Sequence, residues 1–341
     1  MLMSSKSFRK SLTTTWQSIS AITATATLIA LSFWNSPVLA ADPFREGDKA
    51  RQIGENTEAA FKAMFERGNY QDAQWYLEQA KSEESDEPMI YALLASLAYQ
   101  QQDWQGLKTY SSQTMTAAKA LQSRDLVRSN LYIAIAYFLD GAYILSTEGT
   151  FKGAPVALNL LQDVFKHMDA AAQVDSTDPE LNLIRGYMDI FLALNLPFSD
   201  PQSAIQKLEQ HGSPRHLAYR GLALAYRDLD QHEKALEFIN KAIEEVPNNP
   251  EVLYIKAQLL SSIARRNNNN TLTLTEAKNN FQAALAQPQQ LPKTIVAQIF
   301  YEQCKTLNRI DNQSRACDPM RDTIRSINSP WGPVPEQMPS L

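Results

Sequence analysis

HLAYRGLALAYRDLDQHEKALEFINKAIEEVPNN, residues 216 to 249, reads as two helices joined by a turn. At about 100° per residue, Tyr219, Leu222, Ala223 and Tyr226 share one narrow face of the first helix. Ala235, Ile239 and Ala242 form the matching face of the second. Large side chains meet small ones across this contact, so the two helix axes can approach closely. Pro247 has no amide hydrogen and ends the second helix, and Asn248 and Asn249 supply a turn before Pro250. A unit of this size cannot cover its own apolar faces, so it needs similar units on either side.

The flanks carry such units. From Glu55 to Ala80, Ala60, Phe61 and Met64 precede an RGNY turn (67–70), and Ala73, Leu77 and Ala80 follow it. The acidic run SEESDEP reads as a solvated loop. Pro88 opens a unit with Tyr91, Leu94 and Ala95 inside and Asp103-Trp104 at the turn. Its second helix, 105–121, is degenerate, with Leu107 where Ala is wanted and Ser111 where a bulky residue belongs. Residues 124–146 read as one long apolar helix, joined by the glycine-rich GTFKGAP (149–155) to a helix over 156–174. That loop lacks the spacing, the following Lys-Ser/Thr and the preceding strand of a phosphate-binding loop. Pro179 starts another unit, with an enlarged turn at 196–201, and Pro250 starts the last, interrupted by an insertion at 265–275.

Met1 to Ala40 reads as a secretory signal: Lys6, Arg9 and Lys10 lead an apolar run that closes at Val38-Leu39-Ala40. Cleavage after Ala40 leaves a lead-in over 41–54 and no stable membrane insertion. The chain is then exported, with the periplasm as the first reading and the thylakoid lumen or extracellular space as alternatives. The formal charge of −5, with 44% hydrophobic and 20% charged residues, fits an ordered chain and lacks the basic excess of a nucleic-acid binder. Cys304 and Cys317 are the two cysteines. In an oxidising compartment they pair across a helical hairpin, and free thiols are the alternative.

The segment from Glu55 to about Leu291 resembles the tetratricopeptide-repeat family, most closely over 216–249. With GTFKGAP, the stretch GYMDIFLALNLPF (186–198) and the signal segment, it is also similar to a group of secreted repeat proteins found in cyanobacteria. The resemblance implies an all-α fold: an α-solenoid of helical hairpins over 55–291 in a right-handed superhelix, with its last repeat at 250–287. A C-terminal helical cap (292–329) and a proline-rich tail (330–341) follow. It further implies protein or peptide binding, with no cofactor.

No catalytic constellation stands out. His211 and His216 match no helical metal-ligand spacing, His167 stands alone, His232 falls in a turn, and no metal is expected. Asn269 and Asn312 begin N-x-Ser/Thr sequences, relevant where secreted proteins are glycosylated. An enzyme or accessory domain with its site in the irregular middle, 146–200, is the alternative to a scaffold. The groove emerges from the same helical wheel as the core. Positions 2, 5, 9 and 12 of each first helix lie opposite the buried face, yet they hold Leu217, Arg220, Leu224 and Arg227 in one unit, Glu180, Leu183, Tyr187 and Ile190 in another, and Glu251, Tyr254, Gln258 and Ser261 in a third. Aromatic and Arg side chains are enriched at interfaces. Tyr187, Arg220, Leu224, Arg227 and Tyr254 are therefore the expected partner-binding residues, unless neighbouring helices or the tail cover them.

Overall fold

The computed structural model describes residues 42–195 and 201–341. The expected signal segment and all but the last residue of the turn at 196–201 lie outside them. Among the described residues there are thirteen α-helices and no strand. They run as hairpins: α1 (Glu55–Phe61) with α2 (Tyr70–Glu83), then α3 (Pro88–Gln101) with α4 (Trp104–Ala120). α5 (Leu126–Val174) is a hairpin in itself. It is followed by α6 (Pro179–Asn195) with α7 (Pro201–His211), α8 (Arg215–Asp228) with α9 (His232–Glu245), and α10 (Pro250–Arg266) with α11 (Thr271–Ala284). α12 (Lys293–Asp311) and α13 (Cys317–Arg325) close the series. Each hairpin packs on the next, which is the solenoid the spacing predicts.

The central unit behaves as its pattern dictates: Leu222, Ala223, Ala235, Ile239 and Ala242 are fully buried. The turns share one device. Gly68, Gln102 and Asp230 each adopt a left-handed backbone, and Asn69 and Asp103 then cap the second helix by accepting from Asp72 N and Gly106 N. In the degenerate unit Leu107 and Ser111 are both buried, and the Ser111 hydroxyl donates to Ala136 O at 3.0 Å. A small hydroxyl thus replaces the bulky residue because it bonds directly to the backbone of α5.

In α5 the expected loop shrinks to one residue. Gly149, at φ 74° and ψ 167°, reverses the chain, and helix resumes at once. Gly141 faces Ala157 across the pair, and a Cβ on Gly153 would sit 3.1 Å from Ile144 O. Glycine therefore serves both the reversal and the close contact.

At the C-terminal end Cys304 and Cys317 form a disulfide joining α12 to α13. The tail is anchored at its start. Lys293 N donates to Pro330 O at 3.0 Å and Gly332 N to Leu291 O at 2.9 Å, which pins its start beside the entry to α12.

The first hairpin does more than begin the stack. Asn249, at the N-terminus of α10, donates through Nδ2 to Phe65 O (2.9 Å) and Glu66 O (3.2 Å). Thr294 at the start of α12 reaches Gln100 O at the end of α3, so the two ends of the series meet.

Candidate functional site: the inner face of the hairpin series

The first helices α3, α5, α6, α8 and α10 turn one common side inward, and two features of the N-terminal segment occupy most of it. The first is aromatic. Phe44, Phe61 and Phe65 line a void of about 140 Å³ together with Leu93 of α3, Tyr132 of α5, Leu183 of α6 and Leu217 of α8. Leu183 and Leu217 are groove positions of the helical wheel, and both are buried.

Beside this apolar patch sits a polar one. Arg220 Nη1 lies 2.5 Å from Glu251 Oε2, Tyr70 OH donates to Glu251 Oε1, and Tyr187 OH donates to Leu217 O at 2.6 Å. Burial pushes the Tyr187 hydroxyl up to about 12 and the Tyr70 hydroxyl well above its ordinary value. His216 next to this group is pushed down to about 4 by burial, with Arg220 adding to the effect, so it is neutral at pH 7. Gly68 lies against the Pro250 ring, where a Cβ would come within 2.4 Å. The structure leaves three of the five expected groove residues partly covered: Arg220 shares Glu251 with Tyr70 of the first hairpin, Tyr187 bonds to the α8 backbone beside it, and Leu224 packs half-buried against the core. The physical reason is that the chain supplies its own occupant for that stretch.

The second feature is an ion network in the lead-in. Arg45 pairs with Asp42 (2.8 Å) and Asp178 (2.5 Å), and Arg51 with Asp125 (2.6 Å) and Asp178 (2.9 Å). Arg128 makes a two-pronged pair with Glu87 (2.7 and 2.8 Å) and a third bond to Glu180 at 3.1 Å. Glu87, Asp125 and Asp178 are also helix caps, accepting from Met89 N, Arg128 N and Leu181 N. Three neighbouring helix N-termini thus carry carboxylates that satisfy both the helix dipoles and the lead-in arginines. Glu180 is fully buried, which pushes its carboxyl up, but Arg128, Arg45, the Tyr132 hydroxyl and Arg51 outweigh that and hold it below its usual range. Sequence reading missed this network. The available signal was Glu180 at a wheel position opposite the core, with Arg45 and Arg51 in a segment otherwise read as a lead-in.

What stays open lies beyond the first hairpin, between α8, α10 and α12. There a cavity of about 640 Å³ is lined by Arg227, Gln258, Arg265, Tyr301, Glu302 and Arg309, among others. Tyr254 joins it at one side: its hydroxyl donates to Glu302 Oε1 at 2.7 Å, and Gln258 and Gln298 also donate to Glu302. Burial and Glu302 together raise the Tyr254 hydroxyl far above its ordinary value. Arg227 donates to Gln258 Oε1 at 3.1 Å and to Asp228 at 2.8 Å. Of the expected groove residues, Arg227 lines this channel, and Tyr254 stands behind its lining, bonded to Glu302.

Residues 217–259 match the family model of the tetratricopeptide repeat. The chain carries a tetratricopeptide repeat. The match spans α8, α9 and the first part of α10, the tetratricopeptide unit from which the channel starts. No curated protein matches the chain. Among solved structures it is similar to the human IFIT1 dimer with PPP-AAAA, at 14% identity and a TM-score of 0.45, covering 80% of this chain and 59% of that one. It is also similar to the human IFIT1 dimer with m7Gppp-AAAA, at 15% identity and 0.45, covering 79% and 58%. The chain spans less than two thirds of these neighbours' length. Among the described residues no cluster of three or more His, Cys, Asp or Glu side chains is placed to hold a metal ion, and no helix is long and apolar enough to cross a membrane.

Proposed function

We propose that this is an exported scaffold that captures a protein or peptide segment in the channel between α8, α10 and α12. One observation carries the reading: the inner face is filled by the first hairpin over α3 to α8 and left open, polar and concave over the last first helices. Tetratricopeptide units present a preformed surface, so little ordering is needed there before a segment binds. Export rests on the 1–40 signal reading, and the buried Asp42 and Phe44 are compatible with a folded body that starts just after it. The test is site-specific photocrosslinking in the native compartment, with a benzophenone residue at Ser262 inside the channel and a control at the exposed Leu272. A discrete adduct from Ser262 alone, lost on Arg227→Glu, supports the proposal. Equal adducts from both positions, or none from Ser262, overturn it. N-terminal sequencing of the mature protein tests export, and Ala41 as first residue is expected.

A further inference from the structure

Charge is distributed unevenly over the channel. Arg227, Arg265 and Arg309 stand in the last turns of three successive first helices, α8, α10 and α12, and all three line the cavity with Lys305. Against these four cations the lining offers one carboxylate, Glu302, whose oxygens are already engaged by Tyr254, Gln258 and Gln298. Lys305 reaches Asp318 only at 3.8 Å. Among the described residues, Arg265 and Arg309 have no carboxylate within salt-bridge distance, whereas the neighbouring Arg266, outside the cavity lining, is paired with Asp230 at 2.5 Å. Burial first, and then the nearby Arg265, lowers Arg309 below its ordinary value. Helix dipoles favour a cation in each last turn. They do not require four cations to converge on one cavity, two of them without a carboxylate partner among the described residues, in a chain of net charge −5.

We infer that the channel takes an acidic peptide segment, whose carboxylates bridge the unpaired Arg265 and Arg309 with Arg227 and Lys305 alongside. This rests on the peptide-capture reading above and adds the chemical class of the ligand. First helices packed about 8–10 Å apart match roughly three residues of extended chain, so acidic residues at every third position suit the ladder. A single-stranded nucleic acid, the other polyanion, needs open aromatic faces on which bases stack. Tyr301, the lining tyrosine, already has Lys305 at 5.3 Å and Arg321 at 5.0 Å over its ring.

Fluorescence anisotropy with the full mature chain tests this, using four labelled probes: (Glu-Gly-Ser)4, (Gln-Gly-Ser)4, (Lys-Gly-Ser)4 and a twelve-residue oligoadenylate. The Glu peptide is expected to bind, more weakly as salt rises. The double variant Arg265→Gln, Arg309→Gln should bind it at least about tenfold less tightly, as loss of charge-assisted bonds implies, with an unchanged melting temperature. Arg266→Gln is the matched control and should leave affinity unchanged. Equal binding of the Gln and Glu peptides overturns the acidic class but leaves peptide capture standing. Binding of oligoadenylate alone, lost in the double variant, overturns both. Binding of no probe overturns the acidic class, while the Ser262 crosslink decides the capture reading separately.

Discussion

Arg220 and Arg227 sit seven residues apart on one helix face and are similarly half-covered, yet they meet different partners. Arg220 is paired with Glu251 beneath Tyr70, while Arg227 looks into the channel. Arg220→Glu sets two carboxylates side by side in a part-buried place and should cost about 2 kcal/mol or more. Arg227→Glu should change stability by less than about 0.5 kcal/mol. Thermal unfolding of the two single variants checks this; equal melting temperatures would mean that the first hairpin does not cover Arg220. Glu180 supplies a pH dependence. Its folded pKa is depressed, so its contribution is fully present above the ordinary carboxyl value of 4.5 and is lost as pH falls through the lower folded value. Melting followed from pH 7 downward should therefore show a steep acid limb below about pH 4.5. Glu180→Gln should lower the plateau by about 3–5 kcal/mol, as breaking a buried pair does, and flatten that limb.

At the scale of elements, most of the fold was legible because a buried helix face leaves a periodic trace. The positions of Leu222, Ala223, Ile239 and Ala242 are burial written into sequence. Gly149 was legible as a break, though not as a reversal without a loop, since only a contact such as Gly153 against Ile144 tells the two apart. The cysteine pair was legible because it was isolated and placed across a short hairpin. Its closed loop, with a sequence separation of 13, restricts the unfolded chain by about 3 kcal/mol. Replacing both cysteines by serine should shift the unfolding midpoint in denaturant accordingly, and non-reducing peptide maps of the wild-type protein should show Cys304 linked to Cys317. An unchanged midpoint would mean that the α12–α13 packing needs no covalent link. The candidate site was legible only in part. Wheel geometry identifies which side faces inward, but what covers that side comes from residues more than a hundred positions away. The pairing of Tyr70 with Glu251 leaves no local pattern in either segment.

On the scale of the whole molecule, the first hairpin makes the series a closed body. Its hold on α10 concentrates at Gly68, which needs a positive φ and also lies against the Pro250 ring. Gly68→Ala combines a strained backbone with a clash against a stiff ring, so the contact should open. Hydrogen exchange should then show lost protection in two regions at once, 55–70 and the start of α10, together with a lower melting temperature. Loss confined to 55–70 would mean that α10 does not depend on this contact. The same closure explains why the inner face is apolar near α6 and charged near α12: one part is core for the first hairpin, and the other is surface.

The closure also sets a timetable for biosynthesis. Tyr70 finds Glu251 across 181 positions, and the Asn249 amide finds Phe65 O across 184. Ribosomes emit a chain N-terminus first at about 5–20 residues per second, so α1 waits roughly 10 to 40 s for the helix that secures it. Until residues 179–228 have been made, Phe44, Phe61 and Phe65 lack α6 and α8 to cover them, and a translation product interrupted before then would keep this aromatic strip bare. The newborn chain thus remains incompletely folded, and in need of shielding by chaperones, until about three quarters of it has been made.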